Sequence, residues 1–242
     1  MGTNKKRESI FRFKRFAIRN ELSAMKVGTD GVLLGAWCDI SDAKTILDVG
    51  TGTGLIAIMA AQRSNAAITG IEIDHDAASE AILNAQESPW SNRITIINGD
   101  FISLFSSDKL NKVDHIVSNP PYFSSTIIAP DAKRAMARHG STLNYANLIE
   151  ESARLLNPNG KLSIISPVDR RDDILYAASL HHLSVSRLTE VFPTPQSAPV
   201  RILWEFTLGE VAPRKDSLTI QTAPNIYTPE YIALTRDFYL KM

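Results

Sequence analysis

The run Asp48-Val49-Gly50-Thr51-Gly52-Thr53-Gly54 constrains this chain more than any other stretch, because it sits where an apolar strand hands over to a helix. Thr45 to Val49 reads as the strand, and Leu55 to Ser64, rich in helix formers at helical spacing, reads as the helix. Glycines between the two permit a tight turn and let a ligand approach the backbone. The spacing is G-x-G-x-G. A dinucleotide fingerprint would want glycine where Leu55 stands, so a nicotinamide cofactor is disfavoured. The same alternation continues through strand Ala67 to Ile73, helix Asp76 to Glu87, and strands Ile94 to Ile97 and Val113 to Ser118. It predicts an α/β protein with a parallel sheet and helices on both faces.

Further along, Tyr145 to Leu156 reads as a helix stopped by Asn157-Pro158-Asn159-Gly160, with strand Lys161 to Ser166 and helix Asp169 to Leu180 next. Val185 to Phe192 and Arg201 to Leu208 are strands joined by a loop too short for a crossover helix, so they should pair antiparallel. No apolar run approaches the roughly 20 residues of a membrane-spanning helix, and the amino end lacks an apolar stretch before a small-residue cleavage site. A cytoplasmic protein with no membrane partner is expected. Cys38 is the single cysteine, and the five histidines show no zinc spacing, so no metal is expected. The formal net charge is zero, yet the first 30 residues hold eight Lys/Arg against three Asp/Glu. A basic arm hides inside a neutral total.

The glycine loop with Asp48 ahead of it resembles the first motif of the class I methyltransferases that use S-adenosylmethionine (SAM). That resemblance implies a cofactor cradle at Asp48, Gly50, Gly52 and Gly54. Glu72, eighteen residues beyond Gly54, can accept both ribose hydroxyl hydrogens; capping of the next helix is the alternative for an acid here, and Asp74 suits it better. Asp100 resembles the family's adenine-reading acid, with Phe101 supplying its backbone N–H or a ring face; a plain turn aspartate is the other reading. Lys26 to Gly31 precedes an apolar stretch, Val32 to Trp37, that can open a helix. In the resembled enzymes this position packs against the methionine end of SAM, whereas Thr29 or Asp30 can equally cap the helix.

Asn119-Pro120-Pro121-Tyr122 follows the fourth strand, at the carboxyl edge where open α/β sheets bind ligands. By itself an N-P-P sequence is a common rigid turn. An exocyclic or amide nitrogen is a poor nucleophile, because its lone pair is delocalised. If the Asn119 side-chain oxygen and the Pro120 carbonyl each accept one N–H, the nitrogen can pyramidalise toward the methyl carbon, through contacts that strengthen as positive charge develops. Tyr122 would hold the planar group by stacking. Placed 65 to 71 residues after the glycine loop, the tetrapeptide resembles that of the amino-methyltransferases.

Two stretches bear on the substrate. Ser9 to Phe16 interleaves aromatic with basic residues, suited to RNA contact through Arg12, Lys14 and Arg15, or equally to a half-buried edge strand. Lys133, Arg134, Arg138 and His139 form a second basic stretch, either a substrate-facing loop or a solvated helix face. Together with Met25 to Gly31 and the terminal Leu234 to Leu240, these pieces resemble the bacterial tRNA adenine-N6 methyltransferases that modify position 37 of valine tRNA. The resemblance implies a Rossmann-like sheet of seven strands, mostly parallel, in the order 3-2-1-4-5-7-6 with the last strand antiparallel. It implies SAM as cofactor and the tRNA anticodon loop as partner, and a monomer is expected. Residues 1–44 would be a basic arm and cofactor-covering segment, and 45–242 the catalytic domain with a C-terminal extension. The competing functions are a glutamine-N5 protein methyltransferase, which usually carries a sizeable helical domain before the cofactor domain, and a SAM-binding module without catalysis.

Overall fold

The computed structural model describes residues 10–23, 25–106, 110–121 and 143–242. The chain opens with a hairpin of β1 (Ile10–Arg12) and β2 (Ala17–Arg19), followed by helix α1 (Thr29–Trp37). Then come β3 (Thr45–Val49), α2 (Leu55–Arg63), β4 (Ala67–Glu72), α3 (His75–Glu87), β5 (Ile94–Asn98), α4 (Phe101–Ser106) and β6 (Val113–Ser118). After the helix Tyr145–Leu155 follow β7 (Leu156–Pro167), the helix Arg171–Leu180, β8 (Leu183–Phe192), β9 (Arg201–Leu208) and β10 (Arg214–Thr219). A small hairpin, β11 (Gln221–Ala223) with β12 (Ile226–Tyr227), leads into a last helix at Pro229–Thr235.

The central sheet runs β10-β8-β9-β7-β6-β3-β4-β5. From β5 to β8 this is the expected order, and β9 lies antiparallel to both β7 and β8. Two expectations need correction. The sheet has eight strands, because β10 pairs in parallel with β8 over Arg214 to Thr219, so the antiparallel strand is not the last in the chain. Only Leu218 of β10 is buried, and such a polar edge strand carries no apolar alternation to read. The second correction concerns β7, which begins at Leu156 and not at Lys161. Leu156 pairs with Val113, the register then jumps to Lys161 opposite His115, and Asn159 turns the intervening residues at φ 66°. The expected helix stop is thus a bulge inside a strand, pinned by the Asn157 amide donating to Asp114 at 2.8 Å.

Helices cover both faces, which is why β3 is apolar on both sides. One apolar cluster gathers α1, α2, the first hairpin and the last helix; the other gathers α4 and the helices Tyr145–Leu155 and Arg171–Leu180. Close contact of α1 with α2 depends on Gly35, where a Cβ would meet the Met59 sulfur at 2.8 Å. Among the described residues no helix is long and apolar enough to cross a membrane.

Candidate active site

The glycine loop leaves β3 and enters α2 through three left-handed residues, Gly50 at φ 71°, Gly52 at 55° and Gly54 at 80°. A side chain at any of them would strain the backbone. The N–H groups of Gly50 and Thr51 donate to the Ile71 carbonyl at 2.9 and 3.0 Å, which fastens the loop to β4. Glu72 closes it from the end of that strand, accepting from Gly52 N at 2.8 Å with one oxygen and from Asp74 N at 3.0 Å with the other. Asp74, as expected, caps α3 by accepting from Ala77 N. The carboxylate proposed for the ribose therefore also shapes the loop. Glu72→Ala should weaken SAM by at least about 1.5 kcal/mol in calorimetry, the low end for a hydrogen bond to a charged group. A folded variant with unchanged affinity would remove Glu72 from the site.

Asp48 lies under the loop, fully buried. One oxygen accepts from the Thr51 hydroxyl at 2.6 Å and from Ala57 N at 3.0 Å; the other is buried without a partner. Burial pushes its pKa up to about 7, against the smaller opposing effect of those two hydrogen bonds. The folded protein therefore keeps a proton that the unfolded chain releases near pH ~4, so this contribution to stability is full in acid and is lost as pH rises through about 7. Asp48→Asn should flatten the fall in Tm of the cofactor-free protein between about pH 4 and 7. If the variant's Tm falls as steeply as that of the wild type, another group titrates.

A cleft of about 330 Å3 opens above the loop, lined by Met25 to Gly31 on one side, Gly50 to Thr53 with Leu55 and Ile56 below, and Asn119 on the other. Thr29, Gly50, Gly52 and Asn119 are thus brought together from three remote stretches. Thr29 is the first residue of α1, and neither it nor Asp30 caps the helix: Gly28 holds the cap position without a side-chain bond. Asp30 instead accepts from the Arg201 guanidinium at 2.9 Å, tying α1 to β9. Asn119 is placed by β6, whose Ser118 hydroxyl donates to the Val49 carbonyl at 2.7 Å, and Pro120 behind it is buried. Asp100 takes the turn role in this structure, accepting from the Ser103 hydroxyl at 2.7 Å at the start of α4. The Phe101 ring is packed in the core, which leaves its backbone for a ligand. Tyr122, Lys133, Arg134, Arg138 and His139 lie outside the described residues.

The basic arm divides. Arg12 is exposed. Lys14 reaches the Arg236 carbonyl at 2.5 Å, and the Arg15 guanidinium sits 5.1 Å from the Trp90 ring centre. Phe13 and Phe16 are buried, so these two aromatics are packing, within a separate hairpin and not at an edge of the main sheet, whereas Phe11 is exposed.

Two residues that the sequence did not single out, Glu80 and Asn84, join Lys26 in holding the loop that leads into the cleft wall. Glu80 on α3 is 2% exposed and accepts from the backbone N–H groups of Glu21, Leu22 and Ser23. Lys26 donates to the carbonyls of Asn20, Glu21 and Ser23, so the loop is held through both its donors and its acceptors. Asn84 joins the arm to the glycine loop, donating to the Arg19 and Thr53 carbonyls and accepting from Arg19 N. No local pattern announces such contacts.

The cradle fits a SAM-type cofactor: left-handed glycines expose backbone where a Cβ would intrude, an orphan acid oxygen lies beneath, and an acid stands at the end of the next strand. Residues 40–195 match the family model described as a methyltransferase domain. The chain is 46% identical over 232 residues to the tRNA1(Val) (adenine(37)-N6)-methyltransferase of Phocaeicola vulgatus, covering 96% of this chain and 98% of that protein. It is 48% identical over 241 residues to the protein of the same name from Porphyromonas gingivalis, covering 95% and 94%. Among solved structures, a predicted O-methyltransferase from Agrobacterium tumefaciens superposes with a TM-score of 0.68 at 21% identity, over 86% of this chain and 96% of the other. The ribosomal protein L11 methylase of Lactobacillus delbrueckii subsp. bulgaricus does so with 0.52 at 18%, over 74% and 77%. These two likenesses concern the fold alone. The sequence relatives match along almost their whole length, and on that ground the chain belongs to the tRNA1(Val) (adenine(37)-N6)-methyltransferase family.

Proposed function

We propose that this protein transfers a methyl group from SAM to the exocyclic N6 of an adenine in tRNA, at position 37 of valine tRNA. The observation that carries the reading is the cleft itself, in which Asn119 faces the glycine loop across a space walled by Met25 to Gly31. SAM supplies an electrophilic methyl carbon on a sulfonium. The chain's own residues bind, orient and activate the amine. Gly50, Gly52 and Gly54 bring backbone against the cofactor, Glu72 takes the ribose hydroxyls, and Asp100 with the Phe101 N–H takes the adenine end.

Asn119 Oδ1 and the Pro120 carbonyl each accept one N–H of the target amino group. As the N6 lone pair moves toward carbon, positive charge grows on nitrogen and both bonds strengthen, which lowers the barrier. Tyr122 stacks on the adenine and fixes its plane. The surplus proton is lost from a strongly acidic, methylated ammonium, so no buried general base is required. The adenine must leave its stack to reach this edge, at a cost that is least in a single-stranded loop. Arg12, Lys14 and Arg15 are the phosphate-contacting candidates of the arm, and Lys133, Arg134, Arg138 and His139 those of the second basic stretch.

Incubation with methyl-labelled SAM and either bulk cellular RNA or protein, followed by nucleoside and amino-acid analysis, tests the reading. N6-methyladenosine in tRNA, lost when a valine-tRNA transcript carries guanine at position 37, is the expected product. Label in glutamine would assign the glutamine-N5 reaction instead, and no transfer to either pool would leave a cofactor-binding module.

A further inference from the structure

A second cleft lies on the carboxyl edge of the sheet, separated from the cofactor cleft only by Val27, Gly28 and Thr29, which line both. It measures about 770 Å3 and is lined by residues that follow β8 and β10 directly, Pro193 and Ile220 among them. Its outer wall comes from the two ends of the chain. Phe13 forms an antiparallel bridge with Tyr239, Lys14 N donates to the Phe238 carbonyl at 2.8 Å, and the Phe13 and Tyr239 rings stack at 5.9 Å. The cleft is therefore built by the fold and does not depend on a loose terminus.

Its lining has a consistent chemistry. Phe11 is 37% exposed, and Tyr227 is half-buried with one face stacked on Tyr231 at 5.1 Å. Arg12 and Lys241 are exposed at the same cleft. Among the described residues no Asp or Glu side chain lines it, and the oxygen of Met242 accepts from Lys14 Nζ at 3.3 Å. Aromatic faces beside cations are what single-stranded nucleic acid requires: bases stack on the rings and phosphates meet the charges.

We infer that this cleft is a subsite for a nucleotide adjacent to the target adenine, its base stacked on Phe11 or Tyr227 and its phosphate met by Arg12 or Lys241. The inference rests on the RNA reading above and deepens it. Turning the target base out deprives its neighbour of a stacking partner, and an aromatic face one backbone ridge away from the cofactor replaces that partner.

The test uses the full chain and a fluorescent stem-loop RNA that presents the target adenine in its loop, with binding and methylation measured side by side. Phe11→Ala should raise both the RNA Kd and the KM about tenfold, within the range of one lost base stack, while kcat and SAM affinity stay near wild type. Phe11→Tyr should restore binding, whereas Phe11→Leu, which keeps apolar bulk without a ring, should not. Arg12→Ala with Lys241→Ala should flatten the dependence of log Kd on log salt by about one unit or more. RNA Kd and salt slope unchanged in all these variants, in a protein that methylates the RNA, would overturn the subsite and leave the reaction standing. Rescue by Leu as fully as by Tyr would overturn it too, reducing Phe11 to packing. A wild-type protein that binds the stem-loop through Phe11 yet methylates no RNA would keep the subsite and sink the reaction; one that neither binds nor methylates would sink both.

Discussion

Asn119→Ala should slow single-turnover methyl transfer by roughly 100-fold or more, by analogy with the removal of one preorganised donor or acceptor at a transition state. In the proposed mechanism the amide oxygen accepts an N–H that becomes more acidic as the nitrogen gains positive charge, so its contribution is larger at the transition state than in the bound substrate. Cofactor affinity should change much less than the rate, even though Asn119 lines the cofactor cleft, because that cleft is built mainly from Met25 to Gly31 and the glycine loop. Asn119→Asp keeps an acceptor at the same reach and should lose less than Asn119→Leu. The neighbouring framework, with Ser118 tied to the Val49 carbonyl, is untouched by any of these changes. Rapid-quench measurement with saturating SAM and tRNA reads the chemical step directly. A rate near that of the wild type in Asn119→Ala would remove this side chain from the chemistry.

Glu80→Ala should be the most damaging single change outside the tetrapeptide, although Glu80 is far from any motif. Its buried carboxylate accepts three consecutive backbone N–H groups, of Glu21, Leu22 and Ser23. Hydrogen bonds to a charged acceptor contribute about 1.5 to 3 kcal/mol each, and partial access of the freed loop to water reduces the sum, so a loss of about 3 kcal/mol is expected. In a chain of this size that corresponds to a fall in Tm of about 6 to 12 °C. The loop leads directly into Met25 to Gly31, the wall of the cofactor cleft, so SAM affinity should fall as well. Glu80→Gln retains one acceptor oxygen and should lie between wild type and Ala in both. Scanning calorimetry and SAM titration decide the matter: wild-type values of both in Glu80→Ala would mean that the loop keeps its place without this anchor.

Asn119 and Glu80 differ in how far the sequence announces them. Asn119 stands in a tetrapeptide whose residue types are demanded by local chemistry, an acceptor followed by rigid prolines, and its place after an apolar strand can be read directly. The glycine loop is legible for the same reason, since three left-handed positions within five residues select glycine whatever surrounds them. Strands Thr45–Val49, Val113–Ser118 and Arg201–Leu208 lie where the apolar runs put them, because interior strands covered by helices are written as continuous hydrophobic stretches. Glu80 carries no such signature. A glutamate on a helix normally faces water, and its role appears only when the chain folds a loop 57 to 59 residues away against it.

The amino-acid sequence by itself determined where most of the strands and helices fall, the left-handed glycine turn and the chemical character of the tetrapeptide, since each depends on short-range periodicity or on a backbone geometry that few residue types tolerate; the order of the strands was implied by the resemblance to a known family. Tertiary structure alone decided that β10 extends the sheet, that Asp100 caps α4, that Lys14 reaches the far end of the chain, and that Phe11 and Tyr227 share one cleft beside the candidate cofactor cleft. Those outcomes join polar or aromatic residues across long separations, and such pairings are settled by which surfaces remain when the core closes, not by any pattern within a single segment.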